Sequence, residues 1–156
     1  ALDDCDVTFG GGGGRIAPGT SAGRLTVYGD VTLSSLAAFD VQLDGTAPGL
    51  LYDQLSVRDS ADLSAVALND ALLKVTVGYL PTLGDSFTII DNQGSGKVGG
   101  TFLDLPDEAV FQAGVHYFRI DYQGGTGNDV VLTAVPEPTS LSLLVLGGFW
   151  VIRRRR

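Results

Sequence analysis

The sequence predicts an all-β body followed by a single C-terminal hydrophobic helix. Three observations carry this. Apolar residues alternate with polar ones over most of residues 24–133, which is the period of a strand with one buried face. The acids are sixteen Asp against two Glu, there are 22 Gly, and Lys stands only at Lys74 and Lys97. Asp and Gly favour turns, whereas Glu and Lys favour helix. Finally, an apolar run with no charge in it stands beside a block of Arg at the end of the chain.

The elements read in order as follows. Residues 1–16 hold Asp3, Asp4 and Asp6 around Cys5, then Gly10 to Gly14. This is a linker or the end of an upstream unit. A phosphate-cradling loop would need a strand, a helix and a Lys or Ser/Thr in place, and Arg15-Ile16-Ala17-Pro18 supplies none of these. Strands follow at Leu25 and Val27; Val31 and Leu33; Phe39, Val41 and Leu43; Leu55 and Val57; Leu73, Val75 and Val77; Phe87 and Ile89; Phe118, Ile120 and Tyr122; and Asp129 to Leu132. The breaks between them are Gly29-Asp30, Asp44-Gly45, Ala47-Pro48-Gly49, Pro81 to Asp85, Gly94 to Gly100 and Gly124 to Gly127. Leu25, Val27, Val41, Leu55, Val57, Val75, Phe87, Ile89, Phe118 and Ile120 are expected inside.

Leu25 to Leu33 aligns with Leu55 to Leu63, thirty residues on, and a second alternating segment follows each copy. A unit recurring at this spacing suggests stacked coils, as in a β-solenoid. A β-sandwich of similar hairpins gives the same alternation, because both architectures bury one face of each strand.

The tail, residues 135–156, has three parts. Pro136, Glu137 and Pro138 come first. The apolar segment contains Leu141, Leu143, Leu144, Val145, Leu146, Phe149, Trp150, Val151 and Ile152. Arg153, Arg154, Arg155 and Arg156 end it. Thr139 to Ile152 is fourteen uncharged residues. As a helix it reaches ~21 Å, short of the ~30 Å hydrocarbon core, and so suits transient rather than permanent anchoring. Long Arg stems snorkel and lengthen the span. Arg-rich flanks stay cytoplasmic, which puts the body on the far side of the membrane. The two prolines remove backbone donors and hold the junction extended, open to a protease.

Charge divides along the same boundary. Residues 1–135 carry six basic and seventeen acidic groups, net −11, and the tail is +3. An acidic body repels phosphates, so nucleic acid is not an expected partner. Cys5 is the single cysteine, so no disulfide forms within the chain. There is no Met, and the chain is expected to be the C-terminal part of a longer protein.

Ala17 to Gly23 with Leu25-Thr-Val27, Tyr52 to Val57, Gly84 to Ile90, Gly100 to Phe102 and Gly124 to Leu132 together resemble autotransporter-associated β-strand repeats, in order, over residues 17–134. That resemblance implies a parallel β-helix and favours the solenoid over the sandwich. No outer-membrane β-barrel translocator follows, which departs from autotransporters proper. The tail resembles a PEP-CTERM sorting signal, with the Pro-Glu-Pro motif, apolar span and Arg cluster in the same order. It implies a partner exosortase, a membrane-embedded cysteine transpeptidase, in a bacterium with an outer membrane. It also implies a transient inner-membrane tether, then cell-surface or matrix location, with a link to biofilm and exopolysaccharide.

Candidate chemistry in the body is thin. Gly124 to Leu132 fits the calcium nonapeptide G-G-x-G-x-D-x-U-x, with Asp129 as its one acidic ligand. Calcium needs six to eight oxygens, so a glycine turn into the last strand is the preferred reading and no cofactor is expected. His116 is the single histidine, too few for a zinc site with Cys5, and it reads as a strand residue. Asp59 with Asp62, and Asp104 with Asp107, pair acids at short spacing, but turn formation accounts for them. The expected function is that of an exported structural or adhesive surface protein, not an enzyme. The alternative is the stalk of an exported polysaccharide-active enzyme whose catalytic domain lies upstream.

Overall fold

A computed structural model of the chain describes residues 7–9, 13–58 and 65–138. Strands form where apolar and polar residues alternate, because only the extended backbone puts them on opposite faces. The chain visits three sheets in rotation. The first holds β1 (Val7–Phe9), β4 (Val31–Leu33), β7 (Val66–Ala67) and β10 (Val98–Gly99), all parallel. The second holds β2 (Arg15–Ile16), β5 (Ala38–Leu43) and β8 (Leu72–Val77), also parallel. The third has six strands in the order β11 (Val110–Ala113), β12 (His116–Gly124), β13 (Asp129–Val135), β9 (Ser86–Asn92), β6 (Gln54–Arg58) and β3 (Arg24–Tyr28).

This third sheet corrects the expected fold class. Its β3, β6 and β9 run parallel, but β9, β13, β12 and β11 run antiparallel. The fold is mixed β. It is not a parallel β-helix, and its three sheets are not a two-sheet sandwich. The physical reason lies in the connections. Only Gly114 and Val115 separate β11 from β12, and residues 125–128 separate β12 from β13. Loops that short can only make hairpins, since a parallel crossover needs a dozen or more residues. The expected C-terminal helix falls on residues 139–156, outside the described residues.

The thirty-residue spacing sets one register: Leu25 pairs with Leu55 and Val27 with Val57 across β3 and β6. The later part of that repeat, residues 59–64, lies outside the described residues. Of the expected interior positions, Val27, Val41, Leu55, Val57, Phe87, Ile89, Phe118 and Ile120 are buried. Leu25 and Val75 are half-buried against the same core. Strand β6 departs from alternation because it lies between β3 and β9. Its buried Gln54 donates to the Thr88 carbonyl, and Ser56 bonds the Asp91 carboxylate.

Aromatic rings fill the interior. Phe39 stacks on Phe102, with centroids 6.1 Å apart. Phe87 meets Tyr52, Tyr79 and Phe118 edge-on, at 5.4, 6.3 and 6.0 Å. Such geometry adds to area burial. Tyr122 carries a polar group into the core. Its hydroxyl donates to the Leu105 carbonyl and accepts from the Phe102 amide, and burial pushes its pKa up to about 12.

Candidate functional site

The end of β13 is where the body hands the chain to the tail. Its last residues are pinned on both sides. Ala134 donates to the Asp85 carbonyl and accepts from the Gly84 amide, while Val135 pairs with Tyr117 of β12. Pro136, Glu137 and Pro138 then leave the sheet, and all three are exposed. Proline cannot extend the ladder, so pairing stops there. Beside the exit is a small cleft of ≈ 170 Å³, lined by Pro81 and Leu83 on one side and Val115, His116 and Tyr117 on the other. Half-buried His116 is thus brought next to the junction, which its position in the sequence does not reveal. Among the described residues no helix is long and apolar enough to cross a membrane. The apolar segment Leu141 to Ile152 and Arg153 to Arg156 lie outside the described residues, as does Cys5.

Asp129 is held by the turn that contains it. One carboxylate oxygen accepts the Asn92 amide at 2.9 Å. The other accepts the Thr126 amide at 2.9 Å and the Thr126 hydroxyl at 3.3 Å. Nearby, Asn128 donates to the carbonyls of Gly94 and Gly96, and Asn92 also donates to Gly96. The side chain is buried and aims its charge at N–H donors, so its place in the structure is that of a clamp between β9 and β13.

The same use of Asp recurs. Asp30 accepts the Ala65 amide, Asp85 the Thr82 amide, Asp107 the Tyr122 amide and Asp121 the Gln123 amide. Asp53 is buried and accepts amides from Gly23 and Gln42, tying three segments together. Burial raises its pKa above 3.8, outweighing the two amide donors that lower it. A raised folded value means the folded state binds this proton more tightly. The contribution to stability is fully present below the unfolded value and is lost as pH rises through the folded one. An NMR titration of the side-chain carboxyls is expected to find Asp53 titrating above an ordinary Asp. A midpoint at or below 3.8 would show that the amide donors win.

Two further groupings are visible only in three dimensions. Asp107, Glu108 and Asp121 bring carboxylate oxygens within 4.8 Å of one another. Each already has a partner, since Glu108 pairs with Arg119 at 3.0 Å and Gln123 reaches both Asp107 and Asp121. The hairpin of β11 and β12 assembles this trio, and Asp121 had no sequence signal linking it to Glu108. Asp104, expected beside Asp107, stands at a turn with φ of 58°; Asp59 and Asp62 lie outside the described residues. The second grouping is an open polar cleft of ≈ 700 Å³ over β2, β5 and β8, lined by Arg15, Thr20, Asp40, Gln42, Asp53 and Thr76.

No protein-family model matches the chain, and no curated protein or solved structure matches it significantly.

Proposed function

We propose that this chain is the C-terminal segment of an exported bacterial surface protein, structural or adhesive. In this reading its tail holds it at the inner membrane until an exosortase processes it. One observation supports this above others: Pro136, Glu137 and Pro138 stand exposed directly beyond the last paired residue of β13. A processing enzyme needs an exposed, unpaired segment that it can reach without unfolding the body, and the prolines keep this one out of the sheet. The body is assigned a scaffold role, because its buried and turn-forming Asp side chains accept hydrogen bonds from backbone amides and so tie segments together. Exopolysaccharide is the proposed extracellular partner. The cleft over β2, β5 and β8 is polar and open to solvent, walled by the Arg15–Asp40 ion pair and by Gln42, which donates to Asp44, and sugar hydroxyls would have to compete for these groups.

Mass spectrometry of the protein from its native envelope is expected to recover forms lacking Leu141 to Arg156. Recovery of the intact C-terminal peptide through Trp150 and Arg156, with no trimmed form, would overturn the processing reading.

A further inference from the structure

Strand β8 is an edge, paired with β5 alone. The Leu72 and Gly78 amides donate to the Ala37 and Leu43 carbonyls of that neighbour. Alternation therefore turns the backbone groups of Leu73, Val75 and Val77 the other way. Among the described residues no backbone bond reaches them. The side chains of the same three residues lie on the inner face and are only half-buried. β11 comes near β8, but no backbone bond joins the two. An edge of this kind is a template for an added strand.

Register points to the occupant. β13 runs antiparallel to β9 with Leu132 beside Phe87, and the Ala134 carbonyl accepts from the Gly84 amide. Each step forward from Ala134 thus retraces one step back from Gly84. Glu137 keeps to that course, since it lines one cleft with Pro81. Four further residues along each segment lead to Leu141 and to Val77, two equal lengths of about 13 Å when extended. We propose that in water the tail adds to β8 as an antiparallel strand, with Leu141 opposite Val77, Leu143 opposite Val75 and Val145 opposite Leu73. The proposal is independent of the membrane and processing reading. In this register Leu141, Leu143 and Val145 join the inner face, where they leave water and cover their half-buried partners. Ser142, the one polar residue from Leu141 to Leu146, falls on the outer face beside Thr76. The slot closes beyond Leu73, because the Leu103 amide already takes the Ala71 carbonyl. At that point the tail has Gly147 and Gly148, and glycine lets a chain turn away.

Hydrogen exchange of the full chain, read by NMR, tests this. The Lys74 and Thr76 amides face β5 and serve as internal controls. The Leu73, Val75 and Val77 amides are expected to exchange at least about tenfold more slowly than free amides. Leu143→Pro removes a donor that faces β8, and is expected to abolish that protection while the controls stay slow. Leu144→Pro removes only a donor that points away, and is expected to keep it. Fast exchange at Leu73, Val75 and Val77 in the unmodified chain overturns the proposal. Protection that survives Leu143→Pro also overturns it: β11 then covers the edge, or a second copy does if the protection falls on dilution. Equal loss in both proline variants overturns the strand pairing and leaves only apolar packing of the tail.

Discussion

Phe87→Ala is expected to destabilise the body by about 3–5 kcal/mol, the range for removing a fully buried aromatic ring. Phe87 has no exposed surface, and its ring meets Tyr52, Tyr79 and Phe118. Its position makes the loss costly. It lies on β9, which pairs in parallel with β6 on one side and antiparallel with β13 on the other. A cavity there therefore opens where the two halves of the six-stranded sheet meet. Neighbouring rings are held by their own backbones and refill little of it. Urea unfolding should show the midpoint falling with the slope unchanged. Val110→Ala, at a half-exposed position on edge strand β11, should change stability by no more than about 0.5 kcal/mol. A Phe87→Ala cost below about 1 kcal/mol would show that these rings do not form a tight core.

The strands were legible because alternation is a local property. In β5, Phe39, Val41 and Leu43 are buried and the residues between them are half-exposed, as the pattern requires. Alternation says nothing of strand direction, so it could not distinguish the parallel pairing of β3 with β6 from the antiparallel return of β12 and β13. The information was in the short hairpin loops, notably Gly114-Val115. Two-residue strands escaped as well. Arg15–Ile16 falls in the segment expected to be a linker or the end of an upstream unit, and Val98–Gly99 spans the end of a glycine-rich break; both pair in register with neighbours. Phe102 was missed for the same reason. It is fully buried but lies among turn residues with no period. At the tail, proline chemistry made the junction legible. The cleft beside it was not, because Leu83 lies in a turn and Val115 in a hairpin 32 residues beyond it. Only sheet pairing brings them together.

Asp129→Ala is expected to cost about 3–5 kcal/mol. Two backbone amides and one hydroxyl donate to this carboxylate, and bonds to a charged acceptor contribute roughly 1.5–3 kcal/mol each. The Asn92 amide is the critical donor. Asn92 is buried, so water cannot easily replace the lost acceptor. Asp129→Asn keeps one acceptor oxygen and should lose about half as much. Gly125→Ala tests the same clamp from the other side. Gly125 has φ of 55°, and an added Cβ would run into the Asp129 carboxylate. A cost of about 1–3 kcal/mol is expected from strain and displaced bonds together. The same substitutions separate a clamp from a calcium ligand. A carboxylate already ringed by N–H donors presents its charge to them, and a cation would have to displace those donors to gain it. In the clamp account, adding calcium leaves the unfolding midpoint of the unmodified chain in place, and Asp129→Ala loses the same stability with calcium or with a chelator. If calcium raises the midpoint of the unmodified chain and has no effect on Asp129→Ala, the carboxylate is a metal ligand and the clamp account is wrong.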